Sequence, residues 1–367
     1  MDTRMGLTGG FTRLDLVATI GVLEVPILSL SDFDFSRPLN KKERASAAAR
    51  VMRLDEEGPL WASANHAGRT IEFVGGKPTR LLESGFRVRA PFVYQAVEPA
   101  GVDASDRRAL PRKDRPPLTR ILSSQGATLR LELAALAIGQ MRYKSGTRRP
   151  PLNFPIWGHA GERSWADMIA TEARPTRVGT QFYVEKDKRA RSVGQSLKTL
   201  EKAGLVSLGR VGSRNVVTFL DEGGVTSAGG AVPYEVPLRT EPTVTLPGEF
   251  VLNGWMHVLD DSEIAVLFMA ACGKGGFADE NGYAIPGAVR LLNYGIGRES
   301  YSKALKTLSW FGLLDVHEVS RHDDGRSVDF AGDAPQLHRI RLIAEGLQSD
   351  GPTQVLATLR KQLGRVA

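Results

Sequence analysis

One cysteine, Cys272, occurs in 367 residues. A lone thiol excludes an internal disulfide and any zinc site of two or more thiolates, and it fits a reducing compartment. It reads as a small buried hydrophobe on a helix. The six histidines are scattered, with no H-E-x-x-H and no pair at helical ligand spacing. No apolar run reaches the roughly 20 residues of a membrane span: the nearest, Leu16 to Leu30, is flanked or interrupted by Asp15, Glu24 and Pro26, and no basic n-region with a cleavage site precedes it. Gly273-Lys274-Gly275-Gly276 lacks the earlier Gly and the following Ser or Thr of a phosphate-binding loop, so it reads as a turn. Asp32 and Asp34 alternate in a short aromatic stretch and read as a strand edge or loop. The expectation is a cytoplasmic protein with no membrane partner, not an enzyme, with no catalytic, metal or cofactor-binding residues and no cofactor.

What is present is charge in one place. The chain is 42% hydrophobic and 24% charged, enough for two or three domains, and its formal net charge is +7. Between Gly101 and Leu220 there are 22 basic and 10 acidic side chains. The middle third therefore carries more than the whole positive excess, as a polyanion-binding surface would.

Two polar, turn-rich stretches divide the chain. Asp103 to Pro117 sets Pro111, Pro116 and Pro117 among Arg107, Arg108, Arg112, Lys113 and Arg115; Asp221 to Pro247 is rich in Gly, Pro and Thr. The expected organisation is an N-terminal α+β region over 1–115, a domain over 116–222, a linker over 223–246, a second domain over 247–345 and a tail over 346–367. In the first region Asn40 to Leu54 has helical periodicity with Asn40 as cap, while Thr70 to Val74 and Phe86 to Val97 read as strands.

The two domains contain a repeat. Val193 to Val206 reads V-G-Q-S-L-K-T-L-E-K-A-G-L-V and Tyr301 to Leu314 reads Y-S-K-A-L-K-T-L-S-W-F-G-L-L, about 108 residues later. That spacing is one small domain.

Around the later copy, Asp260 or Asp261 caps a helix over Glu263 to Cys272, a Gly-rich turn follows, and Pro286 opens a second helix, Gly287 to Tyr294. Gly295-Ile296-Gly297 makes a tight turn with Ile296 pointing inward, and a third helix runs from Arg298 to Trp310. Strands Leu314 to Val319 and Leu337 to Ile343 then flank a polar loop. The run Gly295 to Leu308, closed by Gly312-Leu313-Leu314, resembles the turn, recognition helix and first wing strand of winged-helix regulators of the GntR kind. With Tyr301, Ala304, Leu305 and Leu308 inward, Arg298, Ser300, Ser302, Lys303 and Lys306 face outward, where hydroxyls and cations reach phosphates and base edges. Arg326, with Arg321 and His322, falls in the loop of the wing.

The earlier copy follows the same order less tidily. Leu118 to Arg142 gives a long first helix or helix pair, and Ser164 to Ala173 a second, capped by Ser164 and Asp167. After about a dozen extra residues, Lys186 to Ala203 gives a third. Its outward residues are Lys186, Lys188, Arg189, Arg191, Ser192, Gln195 and Lys198, and Gln195 suits adenine. Val206 to Arg210 and Asn215 to Leu220 form its hairpin, with Arg210 and Arg214 at the tip.

The fold class expected is thus α+β: two tandem winged-helix domains preceded by a small α+β N-terminal region. In this arrangement the chain resembles plasmid replication initiators, which implies double-stranded DNA as partner, together with replication proteins or a second copy of itself. Two other readings stay open on the sequence: a transcriptional regulator (repressor) on an operator, and a winged-helix protein-interaction scaffold. The Lys and Arg that open the Lys186 helix speak against the scaffold.

Overall fold

The computed structural model describes residues 39–55, 58–96, 110–122, 127–147, 154–158, 162–172, 176–178, 181–211, 214–224, 226–227, 230–317 and 338–365. Asp32, Asp34, the Leu16 to Leu30 run and the later wing loop with Arg326 lie outside them.

The first elements are α1 (Lys41–Leu54), α2 (Pro59–Gly75), α3 (Thr79–Ser84), β1 (Phe86–Arg89) and α4 (Ala90–Val93). Asn40 caps α1 with a full capping box, its side chain on the Glu43 N–H and the Glu43 carboxylate on its own. The strand expected at Thr70 to Val74 is instead the end of α2. Leu60, Ala64, Ala67, Ile71 and Val74 recur at spacings of three and four and are all buried, so the local β propensity yields to one continuous helical face. The strand expected from Phe86 to Val97 stops at Arg89, because Pro91 has no N–H for a ladder and sits at the start of α4.

The middle of the chain holds α5 (Pro117–Arg120), α6 (Ala127–Arg142), a 3-10 turn at Trp165–Met168, β2 (Thr176–Val178), β3 (Gln181–Tyr183), α7 (Glu185–Lys202), β4 (Val206–Val211) and β5 (Arg214–Phe219). Leu and Ala on every side of α6 leave no polar face, and it is buried along almost its whole length, packed against α2 and α7. The helix expected at Ser164 to Ala173 is only that 3-10 turn. Its capping box forms, but Ile169 is already extended and the Thr171 N–H goes to Ser63 Oγ at 3.0 Å. The chain has left the helical path.

Next come β6 (Thr226–Ser227), β7 (Gly230–Ala231), β8 (Thr243–Leu246), α8 (Glu249–Leu252), α9 (Trp255–Val258), α10 (Asp261–Cys272), β9 (Phe277–Asp279) and β10 (Gly282–Ala284). The chain ends in α11 (Gly287–Leu292), α12 (Arg298–Trp310), β11 (Leu314–His317), β12 (Arg339–Leu342) and α13 (Gly351–Leu363). The architecture is α+β, helices with small antiparallel sheets. The stretch expected as linker contains β8, which pairs with β1 from Phe86↔Leu246 to Arg89↔Thr243. The expected tail contains α13, capped by Asp350 and laid against α1 and α9. One apolar cluster runs through all of these segments.

The sequence repeat is a structural repeat. Leu197 and Leu200 of α7 are buried, as are Leu305 and Leu308 of α12. Thr199 Oγ1 donates to the Gln195 carbonyl at 2.9 Å and Thr307 Oγ1 to the Lys303 carbonyl at 3.1 Å. Both helices end on a glycine with positive φ, Gly204 at 75° and Gly312 at 74°, where a side chain would be strained. The next N–H returns to the same place in each: Leu205 to the Leu200 carbonyl at 3.0 Å, Leu313 to the Leu308 carbonyl at 2.9 Å. Each then enters a strand of an antiparallel pair, β4 with β5 and β11 with β12.

His257 of α9 is fully buried, and neither ring nitrogen has a hydrogen-bond partner among the described residues. Burial, then the charge of Arg130, hold its pKa down at about 3. An unfolded imidazole titrates near pH 6.5. The stability this neutral ring contributes is therefore complete above about pH 6.5 and is lost as pH falls toward 3. His257→Phe is expected to flatten that limb, read by urea unfolding at about pH 7 and about pH 4.5. An unchanged pH dependence would rule His257 out as its source.

Candidate nucleic-acid interface

Three helices begin on a side-chain cap, Asn40 for α1, Asp260 for α10 and Asp350 for α13. The two repeat helices do not: α7 follows Val184 and α12 follows Gly297, neither of which offers a side-chain acceptor. Their first N–H groups therefore receive no N-cap side chain, and Glu185, Asp187 and Glu299 lie in the first turns, where the helix dipole favours negative charge.

On α7, Val193, Ser196, Leu197 and Leu200 face the core, and Lys186, Arg191, Gln195 and Lys198 are exposed. Lys188, Arg189 and Ser192 are half-buried. The Lys186 ammonium lies 5.1 Å from the centre of the Trp157 ring, and Arg189 forms an ion pair with Glu185 one turn back. Arg210 and Arg214 stand at the turn end of β4 and β5, where Val211 is the partner of Arg214.

On α12, Ala304, Leu305 and Leu308 are buried and Tyr301 is half-buried, its ring under the Arg290 guanidinium at 5.0 Å. Gly295 has φ 69° and Ile296 is buried. Arg298, Ser300, Ser302 and Lys303 are exposed. Lys306 is not an outward residue. Its side chain is 18% exposed, its ammonium sits 2.8 Å from Glu43 Oε1 of α1 and 5.0 Å from the Trp310 ring centre. Helical spacing alone put Lys306 on the open face, and α1 covers that end of it.

The first halves of α7 and α12 meet at one cleft of about 1040 Å³. Lys188, Arg189, Arg191 and Ser192 line it from α7, Ser300 and Lys303 from α12. Among the described side chains, Lys186, Gln195, Lys198, Arg210, Arg298, Ser302 and Lys306 are not in its lining. Three arginines that were not expected there line it: Arg53 of α1, Arg130 of α6, and Arg112 in a 3-10 turn (Arg112–Asp114) ahead of α5. Arg112 was visible as part of a basic stretch; Arg53 and Arg130 arrive by packing between distant segments and carry no local signal.

Among the described residues, seven basic and three acidic side chains line the cleft, and these acids are matched. Glu172 pairs with Arg53 at 2.9 Å, Asp260 with Lys303 at 3.6 Å, and Asp261 lies 3.9 Å from Arg130. Burial pushes the Asp260 carboxyl up, but Arg50, Lys303 and further arginines outweigh it and its pKa is lowered. It is a carboxylate whose charge is compensated. Arg112 and, from α7, Lys188, Arg189 and Arg191 make up the rest of the basic lining, with Arg189 also paired with Glu185 outside it; a lining of this sign suits phosphate.

A hairpin absent from the sequence reading completes the sheet beside α12. The four strands run β11-β12-β10-β9, so β10, between α10 and α11, pairs with the returning β12. Asn281-Gly282 between Phe277 and Ala284 is the signal that marks it, with Gly282 at φ 118°. Among the described residues, no helix is long and apolar enough to cross a membrane and no group of three or more His, Cys, Asp or Glu could hold a metal ion. No protein-family model, curated protein or solved structure matches the chain.

Proposed function

We propose that the chain binds double-stranded DNA through two winged-helix modules, with α7 and α12 as recognition helices, in the role of a plasmid-type replication initiator. The observation that carries the reading is that two repeat helices, 108 residues apart in sequence, present their first halves to one basic cleft. The order α10, β10, α11, α12, β11, β12, with β10 on β12, supports a winged helix in the later copy. In the earlier copy α6, the 3-10 turn, α7 and the β4–β5 hairpin support a variant in which the second helix is reduced to one turn. A matched set of basic groups and helix N-termini binds phosphate, while exposed Gln195, Ser300 and Ser302 are suited to base edges.

The test is footprinting of the purified protein on the DNA around its own gene at two salt concentrations. The expected result is a discrete footprint on directly repeated sites, with log affinity falling by about 0.9 per neutralised phosphate for each log unit of salt. A footprint on an inverted repeat replaces the initiator with an operator-binding regulator. The absence of salt-sensitive DNA affinity overturns the DNA reading and leaves the protein-interaction scaffold.

A further inference from the structure

We infer that α7 and α12 close on a single sugar–phosphate ridge of the duplex instead of entering two major grooves a helical turn apart; this rests on the DNA reading above. Two recognition helices that each fill a major groove on one face of B-DNA stand roughly 34–36 Å apart. Arg191 of α7 and Lys303 of α12 instead line one and the same cleft of about 1040 Å³.

The shared cleft is built into the floor. Lys303 of α12 pairs with Asp260, and its neighbour Asp261 lies beside Arg130 of α6. Arg130 also donates to the Met256 carbonyl at 3.1 Å and the Leu259 carbonyl at 2.7 Å. Two residues back along α6, Thr128 Oγ1 hydrogen-bonds Ser196 Oγ of α7 at 3.3 Å. On the far side Arg50 of α1 donates to both oxygens of Glu263 in α10. The helices are thus joined through a chain of polar contacts, exposed at Lys303 and buried at Thr128 and Ser196, and one shared apolar cluster. Opening them to a helical turn would break these contacts together.

The lining selects what enters. No aromatic side chain is among the described residues that line the cleft, so an unpaired strand finds no stacking platform. Guanidinium and ammonium groups stand beside the hydroxyls of Thr171, Ser192, Ser262 and Ser300, the partners of phosphate oxygens. A whole duplex is too wide for the cleft; one ridge of a duplex fits, with α7 toward one groove and α12 toward the other.

The test uses a duplex of about 30 base pairs selected by the full chain from a randomised pool, with phosphate ethylation interference mapped on both strands and affinity measured against salt. The expected map is one continuous run of phosphates on one strand, with a salt slope of about −0.9 for each phosphate in that run. In Arg191→Ala and Lys303→Ala proteins, checked for unchanged unfolding midpoints, interference should fade within that same run. Two runs separated by a helical turn, fading one with each variant, would overturn the single-ridge geometry and leave the DNA reading standing. No salt-sensitive binding to any selected duplex would overturn both.

Discussion

Arg50→Ala is expected to destabilise the folded chain by about 3–5 kcal/mol, the usual cost of stranding one member of a buried ion pair. Arg50 is 6% exposed and Glu263 1%. The guanidinium meets the carboxylate at 2.7 and 2.8 Å, donates to the Val258 carbonyl at 2.7 Å and lies over the Phe311 ring at 5.1 Å. Burial by itself pulls its pKa down, but Glu263 and Asp260 outweigh burial and the pKa is raised. Arg50 is therefore charged in the folded state. Without Arg50, the Glu263 carboxylate keeps only its hydrogen bond from the Asp260 N–H, at 2.7 Å, among these partners. Replacing both members, Arg50→Met with Glu263→Leu, should recover much of the loss, since a well-packed apolar pair is often as stable as a buried ionic one. Urea denaturation of the three variants measures this. A loss below about 1 kcal/mol in Arg50→Ala would place the pair in the class of surface ion pairs and remove it as the clamp of α1 on α10.

Glu263 also shows where sequence reading ends. Three residues after Asp260 and ahead of an apolar run, the pattern places a capped helix there, and the capping box forms. That the same carboxylate receives an arginine from 213 residues earlier has no local trace. The same division holds elsewhere. The helices α7, α10 and α12, the turn at Gly295 and the β4–β5 hairpin follow from periodicity, caps and glycines within a few residues of one another, and each stands close to its expected bounds. The pairing of β1 with β8, the covering of Lys306 by α1 and the shared cleft depend on segments far apart in the chain. Residues 70–74 mark a third case, in which β-rich composition was local and the helical face that overrode it extended back to Leu60. The candidate site was legible as two charged helices and illegible as one place.

That distinction sets the second large effect. Arg189→Ala with Arg191→Ala should lower DNA affinity far more than Lys303→Ala with Lys306→Ala. Each phosphate contact removed takes about 0.9 from the salt slope, roughly tenfold in affinity near 0.1 M salt. Lys306 is held by Glu43 and Trp310, and Lys303 already faces Asp260. That pair is worth at most about one contact, a slope change near 1. Arg191 is exposed at the cleft, and Arg189, though paired with Glu185, lines it from the helix whose surroundings carry the basic excess. Their joint loss should approach a slope change of 2 and about a hundredfold in affinity. The measurement is a salt titration of binding for the two double variants against the parent. The reverse order would move the main phosphate contacts to α12. It would also mean that the Lys306–Glu43 pair opens on binding, lifting the first turn of α1 from the end of the recognition helix.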